Sequence, residues 1–137
     1  MTRVAFICIE NSNRSQMAEA FARMHGAGLI EPYSAGSRPS GRVNPRAIAA
    51  MREVGYDLST HRSTGAQELP PGEFAYAITM GCGDECAWIS ARHREDWPIP
   101  DPKDLEPDAF NAVRDEIERR VKALIGRIDR SERQDTG

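Results

Sequence analysis

No segment of this 137-residue chain approaches the apolar length that crosses a membrane. Met1-Thr2-Arg3 runs straight into a short apolar stretch, without the long apolar core or cleavage site of a secretory leader, so the expected location is the cytoplasm. Neither sign of charge is in large excess: 18 Lys and Arg against 21 Asp and Glu leave a net charge of −3. That balance points away from nucleic acid and membrane surfaces as partners. Internal repeats are lacking, and the length suits one well-buried core rather than two domains. Cysteine is scarce, with Cys8, Cys82 and Cys86 the three present. In the cytoplasm such thiols are poor structural staples and read as reactive, metal-binding or inert. A zinc site takes four ligands, and only the scattered His25, His61 and His93 could complete one, so no metal is expected.

What the chain does carry is an alternation of apolar strand runs and helical stripes. Residues 4–7, 29–33 and 74–79 read as strands, with a short, weak one near 94–97. Helices fit from Met17 to about His25, from Pro45 to about Val54, and from Asp108 to about Ile128. A short helical turn fits residues 65–69. Residues 130–137 are polar and expected to fray beyond a single domain spanning 1–129. The alternation implies an α/β fold, a three-layer sandwich around a central four-stranded parallel sheet. Ligands bind such sheets outside the carboxyl ends of the strands. Cys8 and Cys82 both fall there, each after a different strand.

The loop between the first strand and helix, Cys8-Ile9-Glu10-Asn11-Ser12-Asn13-Arg14, holds one thiol and one guanidinium six residues apart. Backbone N–H groups curled at a helix N-terminus make an anion cradle. A cysteine at its mouth is favoured as thiolate, the nucleophilic form. Arg14 adds a planar fork that can hold two oxygens of a tetrahedral oxyanion. A Cys ending a buried strand is more often only a small core residue, and C-x5-R alone is a weak pattern. The strand before, the helix after and Ser15 beside Arg14 favour the catalytic reading.

Cys82 and Cys86 form C-x3-C between flexible glycines, Gly81 and Gly83. Two thiols so spaced meet if the segment forms a loop, and thiol–disulfide exchange could carry oxidation from Cys8 to them. Asp101, with proline on both sides, is the best fixed of three acidic candidates (Asp104 and Asp108 are the others) to protonate an oxygen departing opposite the nucleophile.

Together these residues resemble the arsenate reductases built on the low-molecular-weight protein tyrosine phosphatase fold, over nearly the whole chain. The likeness runs through the loop and Ser15-Gln16-Met17-Ala18-Glu19, then Tyr33-Ser34-Ala35-Gly36, Asn44-Pro45, Thr79 to Asp84, Asp101-Pro102 and Arg114-Asp115-Glu116-Ile117. Gln16 resembles the reductase branch, since the phosphatases usually carry proline there. The resemblance implies that Cys8 attacks arsenate held by the loop amides and Arg14. It implies that Ser15 steadies the thiolate, Asn11 holds the loop's shape and Asp101 acts as acid. Cys82 would then expel arsenite by forming a Cys8–Cys82 disulfide, which Cys86 would convert to Cys82–Cys86. Phosphate or sulfate would compete with arsenate. The family further implies an optional potassium ion near Asn11, Glu19 and Ser34, no required cofactor, and an external thiol reductant. That reductant is either thioredoxin or a mycothiol or glutathione system with a redoxin, and the tight C-x3-C is more similar to the second. The chain departs from the family at Ile9-Glu10, where Thr-Gly is usual, and at Asn13, where many members carry a further cysteine.

Two other readings stand beside this one. A low-molecular-weight protein tyrosine phosphatase would use Cys8, Arg14 and Asp101 alone. A non-enzymatic oxyanion-binding redox sensor would report oxidation of Cys8.

Overall fold

The computed structural model describes residues 1–136. Strands β1 (Thr2–Cys8), β2 (Ile30–Gly36), β3 (Phe74–Thr79) and β4 (Ala91–Asp96) alternate with helices α1 (Arg14–His25), α2 (Pro45–Glu53) and α3 (Pro107–Thr136). The four strands form one sheet in the order β2-β1-β3-β4, parallel throughout. The connection from β1 leads outward to β2, and the next one returns across β1 to β3. The topology therefore switches direction at β1, and a crevice opens at its carboxyl end. Cys8 is the last residue of that strand, paired with Gly36 of β2.

Alternation along β1 divides the core. Val4, Phe6 and Cys8 join the large cluster with Phe21 of α1, Met51 of α2 and Ile117, Val121 and Leu124 of α3. Ala5 and Ile7 face a smaller cluster with Ala35 and Phe74, packed against Leu69, Ala87 and Ile89 from the connecting segments. β1 is thus buried on both faces, as its continuous apolar run requires.

Several boundaries differ from the sequence reading: β1 starts already at Thr2, and β2 runs on past Tyr33 to Gly36. α1 begins at Arg14, a turn before the apolar stripe, because Arg14, Ser15 and Gln16 are buried and hydrogen-bonded although polar. β4 spans a full six residues, being held to β3 from Phe74↔Ala91 to Thr79↔Asp96 although much of it is exposed. α3, expected to end near Ile128, runs to Thr136. An Arg133–Asp129 ion pair spans one turn of that extension, and Thr2 Oγ1 donates to Glu132. α2 follows its signal closely: Asn44 Oδ1 caps it by accepting from Arg46 N at 2.8 Å, and Pro45 sits in the first turn.

Candidate active site

The carbonyl groups of the β1–α1 loop are turned outward. Those of Cys8, Ile9, Glu10 and Ser12 accept from the backbone N–H groups of Ser37, Arg38, Ser40 and Asn44, and Glu10 O also accepts from Ser63 Oγ. Asn11 O accepts from Gln16 Nε2 at 3.0 Å. With its carbonyls occupied outside, the loop has its N–H groups to offer inward, as an anion cradle demands. Asn11 takes the left-handed conformation (φ 52°) that asparagine tolerates better than most residues.

Cys8 is a free thiol, 3% exposed. Its Sγ accepts from Asn11 N at 3.2 Å and lies 2.8 Å from Ser15 Oγ. Asn11 Nδ2 donates to Ser15 Oγ at 2.8 Å. The serine oxygen is thereby supplied with a donor, and its own proton is left for the sulfur. Two hydrogen bonds therefore converge on Cys8 Sγ.

Arg14 Nη1 donates to Met80 O (2.5 Å) and Ile99 O (2.9 Å), tying the loop to the end of β3 and to the segment before Asp101. Nη2 and Nε have no hydrogen-bond partner among the described residues, which leaves two prongs for a tetrahedral anion. Cys8, Ile9, Glu10, Ser12, Asn13, Arg14 and Asp101 line one small pocket. Asp101 Oδ1 accepts from Lys103 N at 3.1 Å and lies 3.5 Å from Asn13 Nδ2.

Cys82 and Cys86 are joined as a disulfide with Cα atoms 5.2 Å apart. Cys82 is buried and its Sγ lies 3.9 Å from the carbonyl of Ile7, the residue before Cys8, whereas Cys86 is half-buried. Gly81 (φ 79°) makes the bend possible. A Cβ there would meet Ile99 O at 2.9 Å and Arg14 Nη1 at 3.2 Å. Cys8, Arg14, Asp101 and Cys82, four separate signals in the sequence, lie at one end of the sheet.

The family model for low molecular weight phosphotyrosine protein phosphatase matches residues 3–134. The chain belongs to that family. It is 40% identical over 131 residues to the glutaredoxin arsenate reductase of Synechocystis sp., covering 93% of this chain and 99% of that one. Among solved structures it is similar to an arsenate reductase in the phosphate binding state, with a TM-score of 0.84 and 40% identity over 93% of this chain and 99% of the other. The thioredoxin-dependent arsenate reductase of Corynebacterium glutamicum is 29% identical with a TM-score of 0.75, covering 96% of this chain and 63% of that one.

The phosphatase-type loop rests on a second layer of residues that the sequence reading gave no role. Gln16 Nε2 reaches Asn11 Oδ1 and Arg62 O, both at 2.8 Å, while Gln16 Oε1 lies 2.9 Å from His61 Nδ1. His61 Nε2 in turn contacts Tyr56 OH at 2.6 Å. Burial holds the His61 ring below its ordinary range of protonation; Glu19 opposes this, and Arg23 adds to it. As a neutral ring, His61 can donate from one nitrogen and accept at the other, as its two partners require. Only three-dimensional proximity reveals this buttress, because residue 61 lies 45 positions from residue 16.

The oxygens of the residues expected for potassium make hydrogen bonds and an ion pair within the chain. Asn11 Oδ1 already accepts from Gln16 Nε2 and Thr64 N, each at 2.8 Å. Glu19 accepts from Ser34 Oγ at 2.6 Å and pairs with the Arg23 guanidinium at 2.9 Å, so its charge is answered within the chain. No group of three or more His, Cys, Asp or Glu side chains among the described residues is placed to hold a metal.

Gly36 is a further supporting residue. A Cβ there would lie 2.4 Å from Ile9 O and 2.9 Å from Asn11 N, inside the β1–α1 loop itself. Backbone cannot swing aside as a long side chain can. Gly36→Ala is expected to cost roughly 2–3 kcal/mol of stability. The same variant should lose protection of Cys8 by phosphate against alkylation; unchanged melting and protection would show that the loop does not press on β2.

Proposed function

We infer that the protein is an arsenate reductase acting through Cys8, Cys82 and Cys86, and that it works in the cytoplasm. The observation that carries this reading is the Cys82–Cys86 disulfide lying beside a free Cys8 in a phosphatase-type loop. Phosphate-ester hydrolysis needs one thiolate and water, and it leaves the second and third cysteines without a task. The arsenate reductase names of the relatives point the same way.

In the first step the Cys8 thiolate attacks arsenic(V) of arsenate, with the loop N–H groups and Arg14 holding the other oxygens. Asp101 gives a proton to the departing oxygen, which leaves as water. Cys82 thiolate then attacks Cys8 Sγ. The sulfur–arsenic bond breaks, its electron pair goes to arsenic, and arsenic(III) departs as arsenite while a Cys8–Cys82 disulfide forms. Cys86 thiolate attacks Cys82 Sγ and releases Cys8 as thiolate, stabilised again by Ser15 and Asn11 N–H. The product is the Cys82–Cys86 pair, and an external thiol returns it to the reduced form. Cys86 is the more accessible sulfur, and Trp88, three-quarters exposed two residues away, offers a redox protein an apolar foothold there.

Purified protein supplied with arsenate should release arsenite over many turnovers with at least one of thioredoxin, glutathione plus glutaredoxin, or mycothiol plus its redoxin. Aryl phosphate hydrolysis without arsenite formation under any of the three would replace this reading with a phosphatase.

A further inference from the structure

Asn13 stands at the N-cap position of α1, where asparagine ordinarily turns its side chain back to cap the helix. Here it makes no such bond. The side chain is instead directed to the wall of the small pocket shared with Cys8, Arg14 and Asp101. Its Nδ2 points to Asp101 Oδ1 at 3.5 Å, and its Oδ1 is buried without a hydrogen-bond partner among the described residues. The residue as a whole is 4% exposed. Asp101 Oδ1 faces the nitrogen end of the amide. The oxygen end is the one left over. A buried acceptor without a donor is costly, and such groups in a binding pocket commonly await a ligand.

Apart from the Glu10 and Asp101 carboxyl groups on its wall, the pocket offers donors: backbone N–H groups of the loop, the two open prongs of Arg14, and Ser15 behind the sulfur. Donors alone do not distinguish one tetrahedral oxyanion from another. Arsenate and phosphate keep at least one proton near neutral pH, whereas sulfate keeps none. We propose that Asn13 Oδ1 accepts a hydrogen bond from the protonated oxygen of the bound anion, making Asn13 the residue that selects hydrogenarsenate and hydrogenphosphate over sulfate. Against sulfate the same oxygen faces only lone pairs, and the desolvated acceptor stays unpaired. Discrimination then comes from a built-in repulsion as much as from an attraction. Asp101 contributes by fixing the orientation of the amide.

This inference rests on the reading of residues 8–14 as an oxyanion loop, and the experiment separates the two. Reduced wild-type protein is alkylated with iodoacetamide above neutral pH, where hydrogenphosphate and sulfate carry equal charge. Protection of Cys8 is followed by peptide mass mapping while each anion is titrated alone. Phosphate should half-protect Cys8 at a concentration roughly ten-fold or more below that of sulfate. In Asn13→Ala the preference should shrink to within about two-fold, as expected on losing a single acceptor. Equal protection by the two anions in the wild type would overturn the proposal and leave the loop reading standing. A preference undiminished in Asn13→Ala would assign the selection to another group. Failure of both anions to protect Cys8 would remove the oxyanion reading and this proposal with it. Equal protection in the wild type overturns the proposal even if the variant does not fold.

Discussion

Cys8→Ser is expected to abolish arsenate reduction, with a loss on the order of 10^4-fold or more, as for other enzymes deprived of their nucleophile. The reason lies in the two hydrogen bonds on Cys8 Sγ, from Asn11 N and Ser15 Oγ. They hold a sulfur, and a thiol ionises to its nucleophilic form far more readily than the alcohol that would replace it. Serine also cannot form the disulfide by which electrons reach arsenic. The fold should survive, because serine is close in volume to cysteine and Ser15 can serve as its partner. Steady-state arsenite production and the melting temperature, measured together, check this: activity should vanish with little change in melting. Appreciable turnover would place the nucleophile elsewhere.

Cys82→Ser is expected to lower multiple-turnover arsenate reduction about 100-fold or more, because no internal thiolate at that position can resolve the adduct on Cys8. Cys82 is buried against Ile7 O, one residue from the nucleophile. Slow hydrolysis of an aryl phosphate, which draws only on Cys8, Arg14 and Asp101, should persist in this variant. That contrast separates electron transfer from oxyanion chemistry within one protein. Undiminished turnover with a glutathione or mycothiol system would mean that an external thiol resolves the adduct directly.

The architecture was legible where a local pattern and the tertiary structure agree. The apolar run of β3 lies where the pattern puts it, at Phe74–Thr79, and Pro45 after Asn44 marks the start of α2. The residues of the site were legible because their chemistry is unusual: a thiol and a guanidinium between a strand and a helix, and paired cysteines between glycines. Periodicity misses the start of α1, since apolar spacing cannot report Arg14, Ser15 and Gln16, which are buried through hydrogen bonds. It also misses the first half of β4, whose residues are largely exposed and gain their strand geometry from the ladder with β3.

The supports of the loop were illegible for a different reason. Gly36 matters because of what its absent side chain would strike, and His61 because of a partner far away in sequence. Asn11, Glu19 and Ser34 show the converse. Their identities are consistent with a cation site, yet Thr64, Gln16 and Arg23 occupy the same oxygens once the chain folds. Residue types name the ligands a site could have, and the geometry decides which bonds are already made.

The relay from Cys8 to Cys82 to Cys86 is tested most directly by mass mapping of non-reduced peptides from Cys86→Ser after incubation of the reduced variant with arsenate. The account predicts one arsenite per protein molecule and a single new cross-link, Cys8–Cys82, after which the protein stalls. Arsenate consumed with no such cross-link, or a free Cys8 with no arsenite formed, would contradict it.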